Sequence, residues 1–315
     1  MSAAAGNGSG RPVYLIAGAT GVIGRRLTRA LLADGAEVRA IVRNRARARE
    51  LLGPDVELFV ADLTEDPDLG PAMAGVELAY FLVHMLAADG SFAEAECAAA
   101  AAFATASTAA GVGRIVYLGG LGVDRGGSPH LDSRHRTAEL LRELGPPLTY
   151  FRAAMIVGPG SESYELLRSI AERLPLLPRT DRLRSRTQPI GIRDVVAYLR
   201  AAPRLPASAG REIEIGGPDV LPHIEVIARF ARETGRRPAR LLPLPDGIAS
   251  PGMVAAGAAS VTAGNPRVAH ELALGLGGDT KVEDPSGAAL FDVRPEPLNV
   301  AIQRALEEEE RVGGG

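Results

Sequence analysis

Three glycines spaced Gly18-x-x-Gly21-x-x-Gly24 constrain this chain more than any other feature, because of what flanks them. Residues 13–17, just before, form a short β-branched and aromatic run of the buried-strand kind. Just after, apolar residues recur at Val22, Ile23, Leu27, Leu31 and Leu32, the spacing of one helix face. A strand that turns through glycines straight into a helix brings unpaired amides and a positive dipole end to the strand's carboxyl terminus. Gly18 permits the tight turn, Gly21 lets backbone approach a pyrophosphate, and Gly24 lets the helix pack on the strand. The pattern predicts dinucleotide binding, with Thr20, Val22 and Ile23 as further cofactor contacts in the same turn.

The elements that follow alternate. Strands are expected at 37–42, 56–61, 77–83, 114–118 and 148–152. Helices are expected at 45–52, 68–74, 92–110 and 131–144. Six strands separated by helices and short glycine turns predict an α/β fold, a doubly wound parallel sheet of the Rossmann type. Residues 1–10 read as a disordered tail and 11–158 as the dinucleotide-binding core. Residues 159–315 read as remaining sheet elements interleaved with a small carboxy-terminal lobe over the mouth of the sheet. In that second part a helix is expected after 190, a strand at 212–215 and an amphipathic helix at 223–234. Glu307 to Glu310 read as a solvated helix end.

Composition narrows the partners. With 35 basic against 38 acidic side chains the net charge is −3, so no general basic surface awaits nucleic-acid phosphates. No apolar run reaches the roughly 20 residues that span a bilayer, and the amino terminus lacks a signal-peptide pattern. The expectation is a cytoplasmic protein, monomer or homodimer, whose partner is a small-molecule substrate. Cys97 is the sole cysteine, which excludes a disulfide framework or a cysteine-built zinc site. No metal site is expected. Lys281 is the sole lysine, so no mechanism can use a lysine in the amino-terminal half.

At the end of the second strand, NAD-specific folds carry an acid for the ribose hydroxyls. Here stands Arg43, whose guanidinium fork matches a 2′-phosphate and favours NADP(H), although a solvated basic loop reads the same way. Asp62, with Leu63 beside it, is placed either to accept from adenine or to cap the next segment.

The Gly18–Gly24 turn, Asp62 and the Tyr117-Leu118-Gly119-Gly120 turn resemble the short-chain dehydrogenase/reductase superfamily. Within it the chain is similar to the atypical, NmrA-like members, relatives of the nucleotide-binding accessory subunit of respiratory complex I. The likeness covers residues 12–235, including His130-Leu131-x-Ser133-Arg134 and Gln188-Pro189-Ile190-x-x-Arg193-Asp194. That superfamily works with a serine and a Tyr-x-x-x-Lys pair. Four residues after the six tyrosines stand Gly18, His84, Leu121, Ala154, Arg168 and Ala202, so the pair is absent. The resemblance puts its tyrosine position on His130, its lysine position on Arg134 and its serine position on Gly119 or Gly120.

Other side chains are candidates for the missing work. His84 closes the fourth strand, where the carboxyl ends of parallel strands line a ligand crevice, with Leu82 and Val83 toward the nucleotide. His130 can act as an acid, and Arg134 can bind ribose or an oxyanion. The bland alternatives are a buried hydrogen-bonded His84, and a helix entry at His130 with Arg134 in a surface ion pair. Gly119, Met155 and Ile156 complete the cofactor candidates. Tyr164 and Arg168, one turn apart, face either substrate or core. The expected activity is hydride transfer between NADP(H) and a small, fairly apolar carbonyl or conjugated alkene. A non-catalytic NADP(H) sensor and a non-redox isomerase or dehydratase remain as alternatives.

Overall fold

Strand β1 (Val13–Ala17) leads through the glycine turn into α1 (Val22–Ala33), and the same unit then repeats along the chain. The structure, a computed structural model, describes residues 10–65, 67–84, 92–122, 129–242 and 278–313, with positions 260, 266 and 270. The side chains of residues 92, 129, 130, 182, 312 and 313 lie outside that description. After α1 come β2 (Glu37–Val42), α2 (Arg45–Leu52), β3 (Val56–Val60), α3 (Gly70–Met73), β4 (Leu78–Phe81) and α4 (Phe92–Ala109). Then follow β5 (Arg114–Gly120), α5 (Pro129–Leu144) and β6 (Leu148–Ala153). A seventh strand, β11 (Glu212–Ile215), joins from later in the chain.

The seven strands are parallel and ordered β11-β6-β5-β4-β1-β2-β3. Order reverses between β1 and β4. The connections leaving those two strands diverge to opposite faces and open a crevice at the carboxyl edge.

Strand alternation divides the core in two. Ile16, Tyr80, Val116 and Phe151 face α1, α2 and the helix α7 (Ile192–Ala201). The buried Tyr80 hydroxyl donates to the Leu199 carbonyl at 3.0 Å, so its one polar atom is satisfied. Leu15, Phe81, Tyr117 and Tyr150 face α3, α4 and α5. There Phe103, Phe81, Tyr117 and Tyr150 form a ladder with ring centroids 5.2, 6.1 and 5.1 Å apart. Burying one such ring contributes about 1.5–3 kcal/mol. Phe103 is supplied by the alanine-rich α4, whose small residues let that helix lie close on the sheet.

Past β6 the chain makes pairs too short to show a sequence period. These are β7 (Ile156–Val157) with β10 (Ile190–Gly191), β9 (Arg186–Thr187) with β12 (Leu221–Pro222), and β8 (Leu176–Pro178) with β13 (Arg240–Leu242). Helices α6 (Glu162–Arg173), α8 (His223–Glu233) and α9 (Leu298–Gly313) pack through Leu167, Val226, Phe230 and Ile302 into a third core. Among the described residues no helix is long and apolar enough to cross a membrane.

Several expectations change. Strand β5 runs through Gly119 and Gly120 instead of stopping at Leu118, and β4 stops at Phe81, leaving residues 82–84 as a loop. Helix α5 begins at Pro129. The acidic end of α9 is not simply solvated. Glu308 pairs with Arg26 at 2.5 Å, and Glu309 pairs with Arg168 at 2.7 Å, pinning α9 to α1 and α6. The tail at 1–9 and most of the Ala-, Gly- and Pro-rich stretch at 243–277 lie outside the described residues.

Candidate active site

A cavity of about 580 Å³ opens at the carboxyl edge of the sheet, where strand order reverses. Its floor is the β1–α1 turn. Gly18 sits at φ +88°, and a Cβ there would lie 2.5 Å from the Leu82 carbonyl oxygen, so glycine is required twice over. A Cβ on Gly24 would lie 2.2 Å from the Gly18 oxygen, the tight helix–turn packing the motif predicts. Gly21 is the N-cap of α1 with no capping side chain and no acid in the first turn. The amides of Val22, Ile23 and Gly24 have no acceptor among the described residues, and Thr20 and these residues line the cavity. That cradle of unpaired donors fits a pyrophosphate.

One end of the crevice is formed by the carboxyl ends of β2 and β3. Arg43 is exposed at the rim, and its guanidinium has no ion pair or hydrogen bond among the described residues. Asp62 lines the cavity beside Leu63, and its Oδ1 accepts from the Thr64 amide at 3.0 Å and the Thr64 hydroxyl at 2.7 Å. Those bonds, with the Arg43 charge nearby, hold the Asp62 carboxyl below its usual range despite partial burial. Asp62 thus caps a turn and not a helix.

At the other end of the crevice three elements converge on His84. Leu82, Val83 and His84 leave β4 along the cavity wall. From α4 comes Glu96, 1% exposed at its side chain, with Oε2 3.6 Å from His84 Nδ1. From α6 comes Glu162, with Oε2 3.4 Å from His84 Nε2 and 39% of its side chain exposed. From α5 comes Arg134, whose Nη1 lies 3.3 Å from Glu96 Oε1 and 3.4 Å from His84 Nδ1. Burial and the Arg134 charge push the His84 imidazole toward neutrality. The Glu162 and Glu96 carboxylates outweigh them, and its pKa is raised above the ordinary histidine value.

Arg134 is not a surface residue. Its guanidinium donates to the Val83 carbonyl at 3.3 Å and to the Leu118 carbonyl, and lies over the Tyr117 ring at 5.1 Å. It ties the ends of β4 and β5 together while neutralising Glu96. Gly119, on β5, also lines the cavity. A Cβ there would lie 2.7 Å from both Cε2 and the hydroxyl oxygen of Tyr150. At Gly119, one of the two positions where the resemblance puts the superfamily's serine, that space is filled by the Tyr150 ring, whose phenol burial pushes up to about 12. His130 falls in the first turn of α5, but its side chain lies outside the described residues.

Met155 and Ile156 line the cavity after β6, as does the inner face of α6, through Ser163, Leu166, Leu167 and Ile170. Tyr164 and Arg168 share a helix face as expected, but it is the opposite one. The Tyr164 hydroxyl donates to Glu309 at 3.2 Å and Arg168 pairs with the same carboxylate, so they hold α9 and do not line the cavity. Sequence reasoning missed Glu96, Glu162 and His223. A signal existed for Glu96: with Ala99, Ala100 and Phe103 it completes the i, i+3, i+4, i+7 stripe that α4 buries. Among the described residues no cluster of His, Cys, Asp and Glu can hold a metal ion. Cys97 is half-buried with its thiol pushed up by burial, and it does not line the cavity.

Residues 18–168 match a family described as NAD(P)H-binding. The chain is 30% identical over 256 residues to a ceramide reductase of Caulobacter vibrioides, covering 79% of this chain and 77% of that protein. It is 29% identical over 230 residues to an NAD(P)H azoreductase of Xenophilus azovorans, covering 71% and 74%. In fold it is similar to the triphenylmethane reductase of Citrobacter sp. complexed with NADP(H), at TM-score 0.73 and 18% identity over 93% of this chain and 99% of that one. An NADPH-dependent quinone oxidoreductase of Escherichia coli complexed with NADPH gives TM-score 0.73 at 20% identity, covering 93% and 99%.

Proposed function

The chain belongs to the NAD(P)H-binding family of NAD(P)H-dependent oxidoreductases, and from that premise we propose that it is an NADPH-dependent reductase of an apolar carbonyl or conjugated alkene with His84 as its proton donor. The observation that carries this reading is the imidazole held between two carboxylates in the same cavity as the glycine turn. In this reading the amides of Val22, Ile23 and Gly24 hold the pyrophosphate, Arg43 holds the 2′-phosphate, and Asp62, Leu63, Leu82, Val83, Gly119, Met155 and Ile156 frame the nucleotide. Bound NADPH supplies the hydride. The fork of Arg43, unpaired among the described residues, favours NADPH over NADH. The apolar wall of Leu166, Leu167 and Ile170 favours an apolar substrate, in keeping with the lipid named for the ceramide reductase relative.

For a carbonyl substrate, hydride adds to carbon and a proton must reach oxygen. Glu96, buried and paired with Arg134, fixes the Nδ1 side of His84. Glu162, more exposed, is the partner that yields. The substrate oxygen replaces it at Nε2, takes the Nε2 proton and becomes a hydroxyl. Glu162 then returns a proton from water to the imidazole. Arg134 acts by positioning, with Nη1 bonded to Val83 and Glu96 and Nη2 to Leu118.

The test is NADPH consumption across a panel of medium-chain ketones, enones and quinones, with wild-type protein and His84→Gln. The expected result is turnover of at least one compound and a loss of about 10²-fold in kcat for His84→Gln with NADPH affinity kept. NADPH bound but consumed by none of the panel would overturn the reading in favour of a nucleotide sensor. Unchanged kcat in the variant would remove His84 from the chemistry.

A further inference from the structure

Beyond the three groups around His84, the cavity holds one more histidine among the described residues. His223 opens α8, 3% exposed, on the buried face that includes Ile227. Its Nδ1 lies 3.0 Å from the Ser185 carbonyl oxygen and 3.2 Å from the Ser185 hydroxyl. A carbonyl oxygen only accepts, so Nδ1 carries the proton and Nε2 carries a lone pair. Burial lowers the His223 pKa, keeping the ring neutral. Nε2 has no partner among the described residues, and His223 lines the cavity together with Leu166, Leu167, Ile170 and Ile227. Among the described residues this acceptor stands beside apolar side chains, and the nearby Thr280 hydroxyl on the cavity wall already donates to the Thr187 hydroxyl at 2.8 Å.

We propose that this end of the cavity takes the aliphatic arm of the substrate and that His223 Nε2 accepts a hydrogen bond from a hydroxyl or amide N–H on that arm. The proposal rests on the cavity being the substrate chamber of the reductase described above. A buried acceptor left unpaired costs free energy, so a ligand that brings a donor gains twice over one that does not. A hydrocarbon arm fills the space but leaves Nε2 stranded. A carboxylate presents lone pairs to a lone pair, and burial opposes the protonation that would relieve it. Discrimination against a ligand lacking the matched group is characteristic of sites built around a polar atom. The substrate class is therefore an aliphatic carbonyl compound bearing a neutral donor along its chain, not a fatty acid and not a plain alkanone.

The probes are two isomers of equal size, 1-octanol, which donates, and 1-methoxyheptane, which cannot. Each is titrated by calorimetry into the NADPH-loaded protein, wild type and His223→Leu. In wild type the alcohol should bind about ten-fold tighter than the ether, the worth of one net hydrogen bond. In His223→Leu that preference should vanish while NADPH affinity is unchanged. An alcohol preference of the same size in both proteins, or none in wild type, would overturn the assignment. If neither isomer binds wild type, the chamber reading itself fails. Should His223→Leu not fold, nitrogen NMR on the wild type decides: the His223 Nε2 resonance should move upfield with 1-octanol and stay fixed with the ether. An unmoved resonance at saturating alcohol would refute the proposal.

Discussion

Replacing Arg134 with methionine strands the Glu96 carboxylate. The carboxylate is 1% exposed, and among the described residues it pairs with Arg134 at 3.3 Å, with the Thr137 hydroxyl at 3.3 Å and with His84. Removing one member of a buried pair costs about 3–5 kcal/mol, because the survivor stays desolvated without its counter-charge. His84 remains to offset part of that, so the lower end, about 3 kcal/mol, is expected. At about 2–4 °C per kcal/mol for a domain of this size, the melting temperature should fall by about 6–12 °C. Urea unfolding of the nucleotide-free protein measures this directly. Glu96→Leu alone should also destabilise, since it leaves Arg134 without its carboxylate. The double variant should be much less damaged than the sum of the singles, with a coupling of about 2 kcal/mol. Were Arg134→Met within about 1 kcal/mol of parent, or the two changes additive, Arg134 would behave as an ordinary exposed ion pair and the buried clamp would be wrong.

Gly119→Ser should not restore a superfamily-type serine. It should cost about 1–3 kcal/mol by overpacking against the Tyr150 ring, with a smaller penalty when measured in a Tyr150→Leu background. Glu96→Gln should lower the His84 midpoint in an NMR titration, an assignment eased by there being only 5 histidines. The sign for stability follows from that raised pKa. His84 stabilises fully below its unfolded value of about 6.5, and the contribution is lost as pH rises through the higher folded value. The melting-temperature gap between wild type and His84→Gln should therefore shrink from pH ~6 to ~9. Arg43→Asp should narrow or reverse an NADPH preference seen by calorimetry, while equal NADPH and NADH affinities in the parent would remove Arg43 as the discriminator.

The first half of the fold was legible because its signals are local. Val13 to Ala17, the glycine turn and the Leu27/Leu31 stripe each announce an element within a dozen residues, and the structure puts them there. The pairs β7–β10 and β9–β12 were not legible, since two residues cannot display a period. In the site, His84 was found from its place at a strand end. Glu96 and Glu162 were not, because their roles arise only when α4 and α6 each bring a carboxylate to His84 beyond the end of β4. Tyr164 and Arg168 show the limit of helical spacing. It groups residues on one face correctly but says nothing of direction when both faces are covered, as in α6, which has the cavity on one side and α9 on the other.

The filled space above Gly119 also bears on how such a chain could change over generations. Serine at 119 collides with a ring stacked on Tyr117, and loss of that ring alone opens a hole in the aromatic ladder. Each single step is worse than where it starts, and only the two together lead anywhere. A lineage carrying this pair sits in a valley-bounded neighbourhood of sequence space, in which a serine at 119 is not one substitution away.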